Sequence, residues 1–379
     1  MRICRVMRTF PRVRNPGPGL PGYELARHIV TPTLYITRRH DDAPLEVPAH
    51  VELAEVRFPD PLPMAADGWR AGVGALVKLG AYATFYAASL RRMTRWRPDV
   101  IHAHSLPALL HGVLGSRRLG VPWVFSFHGS ELRRATRPPL RGLIARADGL
   151  FYVSRHMEPT IAAAFPDVPR WYTPSGVDLA TFTPGPPEDR EPLIITVGRF
   201  AWQKGLEHLV DALPAVRARA PALRVIMVGR GPAEPEIRAR ARARGVEEHI
   251  TIVPHLGRAE VSALMRRAFV MALPSVSEGF PKVVLEAMAS GLPVVSADVG
   301  CCAEVLGPAG VVVPPARPDV LAGALLELWA DPERRARMGD AGVRRAAGYT
   351  WEATASVALE AFRAVTDRDA SRRGARATG

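Results

Sequence analysis

The sequence predicts an α/β protein made of two parallel-sheet domains that follow one another along the chain. Three observations lead to this prediction. Short apolar runs, typical of buried parallel strands, alternate with helical patterns in both halves of the chain. A segment rich in proline, glycine and acidic residues, 183–192, separates the two series. The length of 379 residues also exceeds what one ordinary hydrophobic core holds.

The first half is predicted to contain six extended segments and three helices. The extended segments are 2–6, 34–37, 51–58, 99–104, 122–127 and 150–153, and the helices are 23–29, 69–97 and 107–119. A loop over 9–22 includes a literal G-x-G-x-x-G at 17–22, the spacing of a dinucleotide fingerprint. Because ten residues separate it from the first strand and Pro18 and Pro21 lack N–H donors, we expect a substrate-facing loop instead.

Polar side chains follow three strands of the first half, namely His104, His128 and Ser154. In open parallel sheets, ligands bind beyond the carboxyl ends of the strands. A histidine at a strand end has a structural explanation too, and both readings stay open for these residues. If both halves bind ligand in this way, the strand ends of the two domains border a cleft.

The second half repeats the pattern of strand and helix. Strands are expected at 193–197, 223–228, 250–253, 269–273, 293–297 and 310–313, and a last helix at 351–365. We therefore predict domains at 1–183 and 192–350, a helix at 351–366 and a polar, disordered tail at 367–379.

The segment 274–291 has the features of an anion-binding site. A buried strand leads into a polar loop, and a helix follows, with Pro281 suited to the first helical position and Gly291 to the position after its end. The start of the helix offers N–H groups beside Gly279, and anions bind at such places. Two carboxylates, Glu278 and Glu286, flank these donors. A ligand with phosphates and several hydroxyl groups suits this combination.

Arg199 and Lys204 lie on a turn between a strand and a helix, where Gly198 lets a ligand approach the backbone. The alternative is a pair of solvated surface charges. However, all but three of the 50 basic residues are arginine, so a retained lysine is informative. We favour a clamp for a diphosphate, because charge-assisted hydrogen bonds are the stronger class.

The bulk composition excludes several classes of protein. Cys4, Cys301 and Cys302 form neither a disulfide framework nor a metal-ligand pattern. No apolar run reaches membrane-spanning length and no secretory signal pattern is present, so we expect a cytoplasmic protein, with the inner face of the membrane as an alternative location. The net charge of +13 is spread along the chain, which favours arginine bias over a nucleic-acid partner.

These motifs, in this order, make the sequence similar to family four of the retaining glycosyltransferases, which have the GT-B fold of two Rossmann-like domains facing a central cleft. The resemblance implies that the domain at 1–183 binds the acceptor, that the domain at 192–350 binds the nucleotide sugar, and that the helix at 351–366 crosses back to the first domain. The resemblance covers about residues 98–350. The matching segments are 99–104, 127–129, 147–154, 176–178, 197–205, 228–232 and 278–295.

The resemblance implies that four residues take part in the chemistry: His128, Arg199, Lys204 and Glu278. Arg199 and Lys204 would hold the donor diphosphate and stabilise it as the leaving group. Glu278 would hold sugar hydroxyls, and His128 would contact the sugar near the anomeric carbon. The family transfers the sugar with retention, by a route in which the leaving phosphate helps to take the acceptor's proton. No metal and no other cofactor is expected.

The resemblance also implies a wider set of donor contacts. Glu286 would bond the ribose hydroxyls, and the base would lie near Arg230 and the loop 254–256. The expected donor-binding residues are Gly198, Arg199, Lys204, Gly229, Arg230, His255, Leu256, Glu278, Gly279, Phe280, Pro281, Lys282, Val283 and Glu286.

The sequence departs from the family pattern in three places, and in one of them Ser175 stands where the family frequently has asparagine before Gly176. Gly19 and Gly22 are assigned to the acceptor or phosphate loop, where the family usually has adjacent glycines and this chain has Leu20 and Pro21 between them. A later Gly-Gly-x-x-Glu pattern appears as 300–304, with cysteine in place of the second glycine. These departures concern the acceptor side more than the donor side.

We therefore predict a retaining hexosyltransferase that moves a sugar from a nucleotide-sugar donor, with UDP favoured and GDP as the alternative, to a hydroxyl acceptor. Its product would belong to a glycan, glycolipid or natural product, and the acceptor stays open among a lipid-linked sugar, a glycan and a small molecule. Two other functions are kept. A sugar-nucleotide epimerase of the same fold would convert the donor without an acceptor. A non-catalytic nucleic-acid or membrane binder, driven by the charge of +13, would bind with steep salt dependence. For the transferase itself, peripheral membrane contact through the basic first domain stays open and no nucleic-acid partner is expected.

Overall fold

The structure is a computed structural model that describes residues 1–7, 9–11, 19–56, 69–129 and 131–377. The chain divides into two compact units. The first comprises Met1–Val153, Met157–Thr173 and Thr354–Gly379, and the second comprises Ser154–His156 and Pro174–Ala353. Each unit has a parallel sheet with helices, as the alternating apolar pattern predicts.

The described part of the first unit has a seven-stranded parallel sheet in the order β3-β2-β1-β4-β5-β6-β7. The strands are β1 (Ile3–Val6), β2 (Thr33–Arg38), β3 (Val51–Val56), β4 (Val100–His104), β5 (Trp123–Phe127), β6 (Gly149–Tyr152) and β7 (Arg170–Tyr172). The last was not predicted, because its half-buried residues at the edge of the sheet do not form an apolar run. Residues 57 and 58 of the predicted third strand lie outside the described residues.

Seven helices accompany this sheet within the described residues. They are α1 (Leu20–His28), α2 (Trp69–Trp96), α3 (Leu109–Leu119), α4 (Leu132–Ala135), α5 (Leu140–Ile144), α6 (Glu158–Ala164) and α14 (Trp351–Ala377). The first begins at Leu20, so the predicted start at 23 is wrong and Gly22 belongs to the helix. Gly19, in a left-handed conformation, precedes the helix as its N-cap and lets the backbone turn there.

The last helix, α14, packs with the core of the first unit. Ala358, Ala361, Phe362 and Val365 are buried together with Phe151 and other side chains of the sheet. The small alanines allow the helix to approach closely, and the Phe362 ring lies 5.3 Å from the Phe151 ring, centroid to centroid. The sequence of the helix therefore places one apolar stripe against β-strands of the first unit.

The same helix continues to Ala377, where the sequence predicted a disordered tail from 367. Arginine and alanine dominate this stretch, and both have high helix propensity. Arg373 and Asp369 form an i,i+4 ion pair at 2.6 Å, which supports a helix by a few tenths of a kcal/mol. The prediction of disorder counted polar residues and gave too little weight to helix propensity.

The second unit has a six-stranded parallel sheet in the order β10-β9-β8-β11-β12-β13. Its strands are β8 (Glu191–Val197), β9 (Arg224–Val228), β10 (Ile250–Val253), β11 (Ala268–Leu273), β12 (Val294–Ala297) and β13 (Gly310–Val313). Its helices are α7 (Leu206–Arg219), α8 (Glu234–Ala243), α9 (Arg258–Arg267), α10 (Lys282–Ala289), α11 (Cys302–Leu306), α12 (Pro318–Ala330) and α13 (Pro332–Ala346). Two apolar cores, one on each face of the sheet, bury most of these helices.

The second unit already includes residues from Pro174, whereas the sequence placed the change of domain in 183–192. Val177 and Phe182 are buried in the core of the second unit. The Val177 N–H donates to the Tyr349 carbonyl at 2.8 Å, which ties this segment to the end of the same unit. A linker predicted from composition misses this anchoring, because the anchoring depends on single buried side chains and not on the overall residue content of the segment.

Replacing Phe362 by alanine is expected to lower the free energy of unfolding by about 3–5 kcal/mol, since the side chain is fully buried among aromatic rings and would leave a cavity. Urea unfolding followed by circular dichroism measures the change. Arg363→Ala, on the exposed side of the same helix, is the matched control and should change stability by less than about 0.5 kcal/mol. Equal effects of the two substitutions would contradict the packing of α14 described above.

Candidate functional site

The candidate site lies at the carboxyl edge of the second sheet, where the loops after three strands are bonded in series. The Gly198 N–H donates to the Val228 carbonyl at 2.9 Å, and the Gly229 N–H donates to the Val253 carbonyl at 2.8 Å. A Cβ atom at Gly229 would lie 1.9 Å from the Gly198 carbonyl oxygen, so only glycine fits there. The loops after β8, β9 and β10 therefore form one continuous rim.

The turn that carries Lys204 is bonded to the loop after β11. A short 3₁₀ helix, Trp202–Lys204, ends at Gly205, whose φ of 54° is left-handed. The Gln203 carbonyl accepts the N–H of Val276 at 2.9 Å. Because a Cβ at Gly205 would meet the Pro274 carbonyl oxygen at 2.3 Å, the two loops are in close backbone contact. This contact places the lysine beside the loop that carries Glu278.

Lys204 and Glu278 form a direct ion pair. The Lys204 Nζ atom lies 2.6 Å from Glu278 Oε1, and Ser275 Oγ donates to the same oxygen at 2.6 Å. The Glu278 side chain is 8% exposed and the Lys204 side chain 24% exposed, so the pair is partly removed from water. An ammonium has three donors, so Lys204 keeps donors for a second anion while it holds the carboxylate.

The loop after Glu278 offers backbone donors. No hydrogen bond within the described residues uses the N–H of Gly279 or Phe280. The Lys282 N–H, in contrast, donates to the Phe280 carbonyl at 3.0 Å and is already used. The helix α10 begins at Lys282. Pro281 is therefore its N-cap residue and not, as predicted, its first helical residue. Gly291 lies just past the end of the helix, as predicted, and its φ of 65° is in the left-handed region that glycine adopts easily.

Glu286 lies on α10, one turn after Lys282. Burial raises the pKa of the Glu286 carboxyl above its usual value, while the positive charges of Lys282 and Arg258 lower it and the carboxylate of Asp178 raises it further. Arg258 begins α9, directly after the loop that contains His255 and Leu256, and its Nη2 atom lies 3.6 Å from an oxygen of Asp178. The structure thus gathers Glu286, Lys282 and Arg258 at the β10 side of the edge.

The remaining predicted residues of the donor site lie along the same edge. Arg199, Arg230 and His255 are exposed, and Leu256 and Val283 are half-buried and pack against the second core. The Phe200 N–H donates to the Arg230 carbonyl at 3.0 Å, so the loops that carry Arg199 and Arg230 adjoin. The second unit therefore brings its predicted donor-site residues to one edge of one sheet.

The first unit holds His128, Gly19 and Gly22. The His128 N–H donates to Glu131 Oε1 at 2.6 Å, and the imidazole ring stacks on that of His104 at 5.6 Å with an angle of 13° between the rings. A Cβ at Gly22 would meet the Tyr35 hydroxyl at 2.8 Å, so this glycine packs against the sheet within α1. Its assignment to a loop is wrong, because the helix begins before it.

Sequence reasoning missed the bonding roles of two residues, one in the site and one in the pattern at 300–304. Ser275 bonds Glu278, and it was overlooked because serine is common in loops. Glu304 accepts hydrogen bonds from Ser154 Oγ at 2.8 Å and from the Arg155 N–H at 3.1 Å. The family pattern at 300–304 contains this glutamate, so the pattern could have identified it as a residue with a fixed partner.

Among the described residues, no group of three or more His, Cys, Asp or Glu side chains could hold a metal ion. No helix in the described part of the chain has the length and apolar character needed to cross a membrane.

Two family profiles match successive parts of the chain. The profile for glycosyltransferase family 4 matches residues 23–181, and that for glycosyl transferases group 1 matches residues 181–345. The D-inositol 3-phosphate glycosyltransferase of Segniliparus rotundus is 32% identical over 71% of this chain and 67% of its own length. The enzyme of the same name from Jonesia denitrificans is 31% identical over 70% of this chain and 71% of its own.

Solved structures share the fold. Sucrose-phosphate synthase from Thermosynechococcus elongatus has a TM-score of 0.79 and 20% identity, covering 97% of this chain and 100% of that one. Anabaena Alr3699/HepE in complex with UDP has a TM-score of 0.73 and 19% identity, covering 96% of this chain and 100% of that one. These likenesses confirm the predicted GT-B fold. With both family profiles matched in order along the sequence, the chain belongs to family 4 of the glycosyltransferases and transfers a sugar.

Proposed function

We propose that the chain transfers a sugar, with retention, from a nucleotide-sugar donor bound at the carboxyl edge of the second sheet to a hydroxyl acceptor. UDP is the favoured nucleotide and GDP the alternative. The proposal includes no metal or other cofactor. The observation that carries it is the Lys204–Glu278 pair beside the N–H groups of Gly279 and Phe280, because this combination offers donors to phosphate and acceptors to sugar hydroxyls.

The chemistry of the pair supports this division of roles. Glu278 Oε1 accepts from Lys204 and Ser275, which leaves the other carboxylate oxygen for hydroxyl groups of the sugar. Lys204 and the exposed Arg199 would then contact the diphosphate as its bond to the sugar breaks. Donors aimed at charge that develops in the transition state are worth ~3–4 kcal/mol each. Departure of the nucleoside diphosphate is the step in which such charge develops.

Glu286 is the residue that we propose binds the nucleoside of the donor, at the other end of the site from the Lys204–Glu278 pair. Its carboxylate lies on the side of the edge where the loop after β10 meets α9, and a partly buried carboxylate suits two neighbouring ribose hydroxyls. One relative, from Mycolicibacterium smegmatis, is described as a GDP-mannose-dependent mannosyltransferase, and the Anabaena structure is a complex with UDP. Both nucleotides therefore belong in the test.

The acceptor side rests on the family resemblance. We propose that His128 contacts the transferred sugar, that the leaving phosphate takes the proton of the acceptor hydroxyl, and that the new bond forms on the face the nucleotide leaves. Relatives are named for inositol phosphate, phosphatidylinositol mannoside and glycogen, so a phosphorylated polyol, a glycolipid and a glucan are the acceptors to try first.

Incubation with UDP- and GDP-sugars, with and without these acceptors, tests the proposal. Nuclear magnetic resonance of the product should give the anomeric configuration of the donor. A donor converted without an acceptor would indicate an epimerase. A nucleotide at ~100 times its Kd should raise the free energy of unfolding by about 2.7 kcal/mol. Steeply salt-dependent binding without any response to nucleotides would favour the non-catalytic alternative.

Lys204→Met is expected to reduce kcat by about 10²–10³-fold, since it removes one donor to the leaving diphosphate. Steady-state kinetics with the identified donor measures this loss. The matched control is Arg242→Met, which breaks an exposed ion pair with Glu247 away from the predicted site residues and should leave kcat unchanged. A Lys204→Met variant with the kcat of the wild type would contradict the proposed role.

Glu286→Gln tests the ribose contact through pH. Burial raises the pKa of Glu286, so its ionised form, which binds hydroxyls best, is lost as the pH falls through that raised value. Donor affinity should therefore be full above the raised pKa and fall on acidification at a pH higher than an ordinary glutamate would give. The glutamine variant should bind about tenfold more weakly at neutral pH, because a neutral acceptor replaces a charged one. It should not show this acid-side loss.

Thermal unfolding tests the raised pKa of Glu286 without any ligand. A carboxyl whose pKa is raised by folding binds more protons in the native state, so its contribution to stability falls as the pH rises. Glu286→Gln should therefore unfold at a higher temperature than the wild type at pH 7, and the difference should shrink towards acid pH. Glu360→Gln on the exposed side of α14 is the control. In the binding experiment, a donor affinity of Glu286→Gln that falls on acidification as it does in the wild type would rule out the ribose contact, because the loss would not come from Glu286.

A further inference from the structure

A fully buried arginine lies in the sheet of the first unit. Arg5 is at the centre of β1 and is 0% exposed. Its neighbours in register are Tyr35 on β2 and His102 on β4. Within the described residues no carboxylate forms an ion pair with Arg5. Burial lowers the pKa of the guanidinium to about 10, which leaves it charged at neutral pH. An uncompensated buried charge destabilises a fold, so its presence calls for another explanation.

The contacts of Arg5 determine the tautomer of His102. Arg5 Nη1 lies 2.8 Å from His102 Nδ1, and a guanidinium has donors only, so Nδ1 must accept. The single ring proton of a neutral imidazole is then on Nε2, which lies 2.7 Å from Ser126 Oγ and donates to it. Both ring nitrogens of His102 are thus assigned by chemistry alone. Phe151 and Phe362 pack against the same ring at 5.2 and 5.3 Å and fix its plane.

A file of histidine rings continues from His102 towards the carboxyl edge. The His102 and His104 ring centroids are 3.8 Å apart, and His104 stacks on His128 at 5.6 Å. His104 is 1% exposed, and neither of its ring nitrogens has a hydrogen-bond partner among the described residues. Packing therefore holds this ring: it is tilted by 40° against His102 and stacks on His128. Burial, the neighbouring histidines and the charge of Arg5 together lower the pKa of His102 and His104 well below the usual value.

We propose that Arg5 is a positioning residue for sugar transfer: it fixes the tautomer of His102 and, through the ring of His104 that packs between them, the orientation of His128. The inference rests on the proposed contact between His128 and the sugar. Among the residues that the structure describes, the titratable groups that face this file are Arg5, Tyr35 and the histidines themselves, and Glu131 binds the His128 N–H. The apolar rings of Phe151 and Phe362 contribute no charge.

Long-range ¹⁵N–¹H nuclear magnetic resonance of histidine-labelled protein tests the structural part without any substrate. The wild type should contain a ring that carries its proton on Nε2 and stays neutral well below the ordinary histidine range. The His102→Gln variant should lack this signal, which assigns it. In Arg5→Met the fixed tautomer should be lost, and in Arg5→Lys, which keeps a charge and a donor, it should be retained. A wild-type His102 protonated on Nδ1 would overturn the proposal.

Kinetics test the functional part. Arg5→Met should lower kcat by about 10–100-fold, the range for residues that orient a functional group, with the KM for the donor unchanged. Its acid-side loss of activity should move to higher pH, because removing a positive charge makes the rings easier to protonate. Arg5→Lys should restore most of kcat and the wild-type profile.

Arg190→Met is the matched control for the loss of an arginine held by the fold. Arg190 bonds four backbone carbonyls in the second unit, those of Met265, Ala268, Ser290 and Gly291. This variant should lower the melting temperature without shifting the pH profile. If Arg5→Met keeps the kcat and pH profile of the wild type, Arg5 has no positioning role. If the wild type transfers no sugar at all, the proposed function fails, whereas the resonance experiment still decides whether Arg5 fixes His102.

Discussion

The contact between Lys204 and Glu278 is the constraint on which the donor edge of the second unit depends. The ammonium and the carboxylate belong to loops after neighbouring strands, β8 and β11, and lie 2.6 Å apart. Such a pair needs backbone contact between the loops, which the glycine at 205 and the Gln203 carbonyl provide. The rigid strands below bring the loops to the same height, so the parallel sheet acts as the frame for the charges.

The first unit has a row of buried polar side chains, whereas the second unit has an ion pair at the edge of its sheet. Arg5, His102 and His104 occupy positions on one face of the sheet that an apolar core would fill more stably. Proteins commonly give up stability at functional sites, and the local rules of sequence and structure are expected to fail there. The two units therefore follow one pattern, in which parallel strands fix polar groups that would otherwise be mobile or unfavourable.

Most strands and the donor edge could be predicted from the sequence, because apolar runs and glycine-rich strand ends are local signals. The ion pair between Lys204 and Glu278 could not, since it joins residues 74 positions apart and depends on the order of strands in the sheet. The same holds for Arg5, which reads as one more residue of the first strand and gains its meaning only from its neighbour His102. Gly22 was misplaced for a local reason, as Gly19, Pro21 and Gly22 together indicate a loop although Pro21 and Gly22 lie in α1.

A double-mutant cycle on Lys204 and Glu278 tests the central claim most directly. It compares kcat/KM for the wild type, Lys204→Met, Glu278→Gln and the double variant, with the same donor and acceptor. If the two side chains act as one unit on the donor, the double variant should lose much less than the sum of the single losses, with a coupling free energy of at least about 1 kcal/mol. Single losses that add within about 0.5 kcal/mol would contradict the account, since they would show that the contact does not matter for transfer.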